Sequence, residues 1–249
     1  SIWFVLRNSL IYINCSFVKS NHVSENSKLP LIMIYVEHLI VYMEECIFNN
    51  TSTVLHIADD KTNTYIEGVF LNVTIKSCDF FNIIGMKNGG VIFIKVPKHV
   101  TPIVLAEVFI FNCIFENISA SSQGGAMYID AKPYNSINKR TVTFMINNSS
   151  FTDCSALVKG GSIYLGKFID AEMYNVKFFQ RHCSNYRGRG LYIFSEANTK
   201  ITHLNITSNC LERHSILEFT GSLTITNEIL IKCTNWYYIT SSFSKTNIA

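Results

Sequence analysis

The chain has 249 residues, of which 48% are hydrophobic and 16% are charged, and its formal net charge is +3. This apolar content can fill a large core, and it excludes an intrinsically disordered chain. The lysines and arginines form no cluster or stripe, so the charge pattern predicts no nucleic-acid partner. β-Branched and aromatic residues are abundant together with asparagine, which favours short strands separated by turns.

No segment of the sequence is suited to crossing a membrane as a helix. The most apolar stretch, Leu29 to Phe48, contains three glutamates, which are costly inside a bilayer. The first residues, Ser1–Leu6, are apolar, but no small-residue cleavage site follows them, so they do not read as a signal peptide. We therefore expect residues 1–249 to be part of a longer chain, with any targeting segment outside them.

Short apolar segments recur along the chain in a fixed order, separated by asparagine and glycine. One set precedes a repeated phenylalanine and comprises residues 10–13, 39–43, 73–75, 108–111 and 142–146. A second set follows glycine and comprises residues 91–94, 126–129, 162–165 and 190–193. None of these segments shows helical periodicity, and all are short, so each predicts a strand.

The repeat is marked by residues that suit strands, tight turns and a packed interior. Eight cysteines lie roughly thirty residues apart, and four of them begin a Cys-x-Phe phrase: Cys15, Cys46, Cys78 and Cys113. The repeated phenylalanines are Phe17, Phe48, Phe80, Phe115, Phe151 and Phe179. Turn-forming residues stand two positions later at Asn50, Asn82, Asn117 and Asp153. Glycine pairs begin nine positions after the phenylalanine, and the glycines concerned are Gly89, Gly90, Gly124, Gly125, Gly160, Gly161 and the single Gly188.

This repeat predicts a solenoid. A strand that returns with the same side chains can stack on its own copy, so that like residues form ladders about 4.8 Å apart. A sandwich gives no reason for the repeated phrase, and a propeller blade needs about forty residues. We therefore expect a right-handed single-stranded parallel β-helix of about eight coils. It forms one domain over residues 1–249, with well-marked repeats at about 9–195 and degenerate terminal coils at 196–249.

Three connections vary in length and composition. Lys95–Pro102 and Lys132–Arg140 are expected to leave one corner of the coil, and His56–Glu67 another. Binding residues are commonly carried on loops that a rigid scaffold positions. These connections, Lys132–Arg140 above all, are therefore the expected contact surface for a ligand.

The combination of Phe-x-Asn with a following Gly-Gly and short strand resembles the repeat of polymorphic-outer-membrane-protein-like β-helix proteins. The segments Phe115–Ile129 and Phe151–Leu165 carry the resemblance best, and it extends over roughly residues 9 to 195. The cysteine before the phenylalanine is an addition to the bacterial pattern. The resemblance implies a secreted or surface-displayed protein that acts in adhesion, with an unknown protein or glycan as its partner.

The cysteines and glycines have structural interpretations. Cysteines at one inward position per coil can be buried thiols, and adjacent coils also bring them within disulfide range. A metal site is the least favoured alternative, because there is no Cys-x-x-Cys pair and no histidine pair with ligand spacing. The glycine pairs predict tight corners, since no Lys-Ser/Thr or helix follows them as a phosphate-binding loop requires. We predict no cofactor.

Carboxylates decide between a binding module and an enzyme. Many β-helices of the pectate-lyase-like fold are polysaccharide lyases or glycoside hydrolases, and a hydrolase needs two carboxyl groups flanking the scissile bond. The adjacent pair Asp59–Asp60 lies in an expected loop, and Arg181, Arg187 and Arg189 have no matching acid in the same phase. We therefore predict no catalytic residues and a non-catalytic module. The polysaccharide-active enzyme remains the alternative, favoured if two carboxylates lie within about 10 Å over a groove.

Asn-x-Ser/Thr sequons begin at Asn14, Asn49, Asn50, Asn72, Asn117, Asn147, Asn148 and Asn205. Such sequons are acceptors for N-glycosylation in secreted eukaryotic proteins. Their number is a mild excess over that expected from composition. A glycosylated extracellular or cell-surface protein is therefore a further expectation.

Overall fold

The computed structural model describes residues 2–5, 9–13, 16–18, 30–35, 38–58, 69–85, 87–96, 104–131, 142–181, 193–208, 217–233, 239–241 and 246–248. All regular secondary structure in these ranges is β-strand, and every strand pairing is parallel. The chain is a right-handed parallel β-helix, which confirms the predicted fold class.

Each coil contributes one strand to a first sheet. Its members, in order along the axis, are β1 (Ile2–Val5), β4 (Ile32–Tyr35), β7 (Leu55–Ala58), β10 (Ile92–Val96), β13 (Met127–Ala131), β17 (Ile163–Leu165), β19 (Ile193–Ser195), β21 (Leu217–Phe219) and β23 (Ile239–Ser241). These nine stacked strands differ from the expected count of about eight coils. The strands after β19 lie in coils where neither the phenylalanine nor the glycine marks recur, so the marks could give their number only approximately.

The remaining strands form a second, bent sheet that covers two faces of the coil. Its first face contains β2 (Ser9–Ile13), β5 (His38–Glu44), β8 (Val69–Lys76), β11 (Val104–Phe111), β14 (Val142–Asn147) and β24 (Thr246–Ile248). Its second face contains β3 (Ser16–Val18), β6 (Ile47–Asn49), β9 (Asp79–Ile84), β12 (Ile114–Ala120), β15 (Ser150–Thr152) and β16 (Ser155–Ala156). The long strands β18 (Ile169–Gln180), β20 (Asn198–Ser208) and β22 (Leu223–Cys233) run through both faces.

In seven coils of the described part of the chain, a single residue with positive φ makes the corner between these two faces. The corner residues are Glu45, Ser77, Asn112, Asn148, Asn175, His203 and Asn227. Four of the seven are asparagine, which tolerates the left-handed conformation best among non-glycine residues. One left-handed residue turns the chain sharply while the strand ladders continue on both sides.

The repeated phenylalanines lie in one inward column of the second face. The register pairs Phe17 with Phe48, Phe48 with Phe80, Phe80 with Phe115, and Phe115 with Phe151. From Phe48 onward these side chains are buried, and successive ring centroids are 5.3, 4.9 and 4.8 Å apart with nearly parallel planes. Stacked rings of this kind stabilise the interior beyond the burial of their area.

The prediction that Phe179 occupies the sixth position of this column is wrong. Phe178 pairs with Phe151 and is buried, whereas Phe179 pairs with Thr152 and is half-buried. From Glu45 to Asn175, the column residue lies three positions after the left-handed corner of its coil. The prediction counted back from Gly188 instead, and a slip of one residue moves a side chain to the opposite face of a strand.

The turn residues of the second face share one backbone conformation. Asn50, Asn82, Asn117 and Asp153 have φ of 52, 52, 54 and 50°. The Asn117 Nδ2 donates to Asn82 Oδ1 at 2.7 Å, and Asn82 Nδ2 donates to Asn49 Oδ1 at 3.1 Å. This exposed amide ladder joins three coils at the surface.

The glycine pairs have two separate physical roles. The first members, Gly89, Gly124 and Gly160, have φ of 65, 62 and 60°, as a tight turn requires. The second members allow the coils to approach closely, because a Cβ on Gly125 would collide with the carbonyl oxygen of Gly161, and a Cβ on Gly90 with that of Gly125. Gly188 lies outside the described residues.

Candidate functional site

The outward face of the first sheet carries two columns of side chains, because residues of a strand alternate between the interior and the outside. The first column is aromatic and consists of His56, Phe93, Tyr128, Tyr164 and Phe194. Successive ring centroids are 4.5, 5.1, 4.7 and 5.5 Å apart, with interplanar angles of 7–15°. We call it the aromatic column.

The rings of the aromatic column stack on one another, so their faces are already in contact. Tyr128, Tyr164 and Phe194 are only 8, 7 and 1% exposed although they lie outside the coil. Sugar rings bind to the open faces of aromatic side chains, and these faces are occupied. The column is therefore a structural ladder, whose edges carry the two phenol groups outward.

The second outward column carries charge. Lys95 pairs with Asp130, and the same position in the following coils is held by Gly166 and then Glu196. Asp130 and Glu196 are thus separated by two coil rises, about 9.6 Å between their Cα atoms. Gly166 stands between them, and the Asp130 carboxylate leans over it, since a Cβ on Gly166 would collide with Asp130 Oδ1. We call Asp130, Tyr164, Gly166 and Glu196 the carboxylate gap.

Neighbouring groups hold both carboxylates in place. The Tyr128 hydroxyl donates to Asp130 Oδ2 at 3.2 Å. The Lys159 ammonium lies 3.9 Å from Glu196 Oε1 and 4.1 Å from the centre of the Phe194 ring. No hydrogen bond is made by the Tyr164 hydroxyl to any residue within the described ranges.

Electrostatics keep both phenols protonated. Burial raises the pKa of Tyr164 above its ordinary value, and the charges of Glu196 and Asp130 raise it further. Burial likewise raises the pKa of Tyr128, with Asp130 as the next cause. A neutral phenol can both donate and accept a hydrogen bond, so the Tyr164 hydroxyl is available in both roles.

Three consecutive coils have long connections at the junction between the first sheet and the second. These connections comprise residues 59–68, 97–103 and 132–141, and each begins at or just after the position in register with Lys95, which is Ala58 in the first of these coils and Asp130 in the third. In the next coil only Lys167 and Phe168 separate Gly166 from β18. The predicted loop starts at His56 and Lys95 are corrected, since both residues belong to strands that end at Ala58 and Val96.

The structure changes the interpretation of one predicted cluster. Arg181 was predicted to lack a matching acid, but its Nε donates to Asp153 Oδ2 at 2.7 Å and its Nη2 to Glu116 Oε1 at 2.6 Å. The guanidinium joins three coils at the surface through these two ion pairs, so its role is structural. Arg187, Arg189 and the pair Asp59–Asp60 lie outside the described residues.

The predicted cysteine column is continuous through three coils. Cys46, Cys78 and Cys113 are buried thiols directly after the left-handed corner, and Cys154 is a buried thiol in a neighbouring inward column. Each of the first three points its Sγ toward the carbonyl oxygen two residues earlier, at 3.2–3.3 Å. Cys15 lies outside the described residues. Within the described part of the chain, no group of three or more potential metal ligands comes together.

The sequons differ in exposure. Asn50, Asn117 and Asn148 are exposed, Asn49, Asn72, Asn147 and Asn205 are half-buried, and Asn14 lies outside the described residues. Glycosylation stays a prediction, with the exposed corner positions as its best acceptors.

Comparison of the chain with family models, curated proteins and solved structures finds no match. In the described ranges no helix is long and apolar enough to span a membrane. The fold is therefore established by the chain's own register, and the role of the outward columns must be argued from their chemistry.

The aromatic column was present in the sequence but was not recognised as a column. The strands after glycine contain Phe93, Tyr128 and Tyr164 at the same position, which was the available signal. In the fourth strand the prediction aligned Tyr192, whereas the structure places Phe194 in register with Tyr164. Asp130 and Glu196 could not be paired from sequence, because the connection between their strands has a different length in each coil.

Proposed function

We propose that this chain is a non-catalytic β-helix repeat module of a secreted or surface-displayed protein, similar to the polymorphic-outer-membrane-protein type, and that it acts in adhesion. The observation that carries the proposal is the convergence of two features at one junction. Three long connections follow the first sheet at this junction, and two of them follow the strands that carry Lys95 and Asp130 in the outward column. A rigid stack therefore presents variable segments and fixed polar groups side by side.

An extended polymer is the ligand that best suits this arrangement. Lys95, Asp130 and Glu196 stand along one outward line, with about 4.8 Å between successive coils and Gly166 between the last two. A polysaccharide or an extended peptide repeats its own polar groups along a line in the same way. Once one unit of such a polymer is bound, its neighbours are held close to the next coils, so several weak contacts together raise the overall affinity.

The experiment compares the whole chain with a variant in which residues 132–141 are replaced by one glycine. The next coil makes the same junction with Lys167 and Phe168 alone, and Phe168 has φ of 63°, so a short link with glycine fits the geometry. We expect the variant to lose binding on a glycan array and to cell-surface proteins while its β circular-dichroism signal persists. Unchanged binding by the folded variant contradicts this assignment of the contact surface.

A polysaccharide hydrolase is the second candidate, and the carboxylate gap is the specific observation in its favour. The two carboxylates lie in one outward column, two coils apart, and glycoside hydrolases likewise use two carboxyl groups that flank the scissile bond. However, Asp130 accepts from a phenol and Glu196 faces an ammonium. Because both carboxylates already have partners, binding is the first proposal. Reducing-sugar release that Asp130→Asn abolishes would reverse this order.

A further inference from the structure

The outward side of the first face of the second sheet carries an apolar patch around one amide. Its members are Phe109 and Phe111 on β11, Met145 and Asn147 on β14, and Tyr174 on β18. The register pairs Phe109 with Met145, and it pairs Asn147 with both Phe111 and Tyr174. The five side chains are therefore neighbours over three successive coils, and we call them the second-sheet patch.

The rings of the second-sheet patch are not stacked along the axis, unlike those of the aromatic column. The residues in register with Phe109 and Phe111 on either side are non-aromatic, and the centroids of these two rings lie 6.2 Å apart along one strand. Tyr174 is 46% exposed and meets the His203 ring edge-on. Contiguous exposed apolar surface of this kind marks an interaction site more often than a single exposed side chain does.

A polar atom without a partner lies in the middle of the patch. Asn147 Oδ1 is buried and accepts no hydrogen bond from any residue in the part of the chain that the structure describes. A buried acceptor in this state is costly, and native structures commonly satisfy such groups with water or a ligand. The Asn147 side chain as a whole is half-buried, so it can turn outward to meet a donor that a ligand brings.

The charges around the patch favour a neutral ligand. None of the five members of the patch is charged. The charged side chains next to it already have partners, which are Glu44 for Lys76, Lys200 for Glu172 and Asn72 for Glu107. An ionic ligand would therefore find no free counter-charge among these residues, whereas a ligand with apolar surface and neutral hydrogen-bond donors suits the patch.

Two of the long connections lead directly into the strands of the patch. Residues 97–103 are followed by β11, which begins at Val104, and residues 132–141 are followed by β14, which begins at Val142. Four of the five members of the patch belong to these two strands. The patch therefore continues the proposed contact surface, and one extended ligand can reach both.

We infer that the second-sheet patch binds a neutral glycan. The inference rests on the proposed function and specifies its ligand class and a second part of its contact surface. A sugar residue presents an apolar C–H face and hydroxyl donors side by side. The C–H face packs on the Tyr174 and Phe111 rings, while a hydroxyl donates to Asn147 Oδ1 and supplies the hydrogen bond that this atom lacks.

The test measures binding of the whole chain by isothermal titration. The probes are cello-, xylo-, manno- and laminari-hexaose, with oligogalacturonate of the same length as the acidic probe. Tyr174→Ala removes an exposed ring, Tyr174→Phe keeps the ring, and Asn147→Leu replaces the amide by an apolar group of similar size. Leu157→Ala is the control, because Leu157 is an exposed apolar residue that lies beyond the second face.

We expect at least one neutral hexaose to bind more tightly than the acidic probe. Tyr174→Ala should weaken this binding about tenfold or more and Tyr174→Phe less than about threefold, while Leu157→Ala leaves it unchanged. Asn147→Leu should weaken binding about three- to tenfold. The urea midpoint of the free Asn147→Leu variant should be equal to or above that of the parent chain, because the substitution removes a buried acceptor without a partner; an amide with a purely structural role would instead lower it.

Four results would overturn the inference. Neutral-glycan binding that Tyr174→Ala and Asn147→Leu both leave intact would refute the location, and the proposed function would stand if replacement of residues 132–141 still abolishes binding. Tighter binding of oligogalacturonate would refute the neutral ligand class. A dimer in sedimentation velocity that Tyr174→Ala dissociates would assign the patch to a second copy of the chain. Binding to none of the glycans would refute the inference, whereas binding to cell-surface proteins that depends on residues 132–141 would leave the proposed function standing.

Discussion

Replacement of Phe115 by alanine tests whether the stacked rings hold the coils together. Phe115 is fully buried, with ring centroids 4.9 Å from Phe80 and 4.8 Å from Phe151. Phe144 is the matched control, because it is equally buried but has no ring contact within the described residues. Its register neighbours are Val108 and an alanine in the next coil.

The two substitutions share one cost and differ in another. Removing a buried phenylalanine side chain costs about 3–5 kcal/mol of unfolding free energy through lost burial and the cavity. Each aromatic pair adds about 0.5–1.5 kcal/mol beyond area. Phe115→Ala breaks two such pairs and Phe144→Ala none, so we expect Phe115→Ala to cost about 1–3 kcal/mol more.

Urea unfolding followed by both circular dichroism and tyrosine fluorescence measures this difference. Two probes are needed because a solenoid can unfold in stages, and coincident curves show that a single free energy is meaningful. Phe115→Leu and Phe144→Leu provide a second comparison in which most of the volume remains. Equal losses for the two positions, in both the alanine and the leucine pairs, would refute the contribution of ring stacking.

Four further predictions concern the turns, the phenols and the thiols. Gly125→Ala should cost about 2–4 kcal/mol in urea unfolding, because its Cβ meets the backbone of the next coil; a cost below that of an exposed serine-to-alanine change contradicts this. Asn117→Ala should cost about 1–2 kcal/mol, since its φ is 54°, and glycine at the same position should recover most of it. Because burial raises the pKa of Tyr128 and Tyr164, the native state holds their protons where the unfolded state loses them. Stability should therefore fall as the pH rises above about 10, less so in Tyr164→Phe, and an unchanged slope opposes the assignment. Burial also raises the pKa of the Cys154 thiol, so iodoacetamide at pH 8 should label it only after unfolding, as peptide mass mapping can show.

The fold was predictable from sequence because the residues that stack are the residues that repeat. Phe48, Phe80 and Phe115 recur with the same neighbours, and the register pairs them directly. Each phenylalanine lies three residues after the left-handed corner of its coil, so no connection of variable length intervenes between them. Where the prediction counted across a connection of variable length, as from Gly188 back to Phe179, it was displaced by one residue.

The candidate site was less predictable for a related reason. Asp130 and Glu196 share a column, but the chain between them passes through almost two coils whose connections differ in length. The left-handed corner residues were equally hard to foresee, since Glu45 and Ser77 adopt the same conformation as Asn112 without sharing its chemistry. The conformation or column of such residues is determined by the stacking of whole coils, and the residue type alone does not reveal it.

The unequal connections at the junction after the first sheet also make this corner a place for engineering. Coils whose links are two or ten residues long keep the same strand register on both sides. Lengthening a flexible link costs only about 0.6 kcal/mol for each doubling. A foreign peptide inserted between Ala131 and Val142 would therefore be displayed at a fixed position along the axis of the stack. Peptides inserted in successive coils would be spaced by the rise between stacked strands, about 4.8 Å.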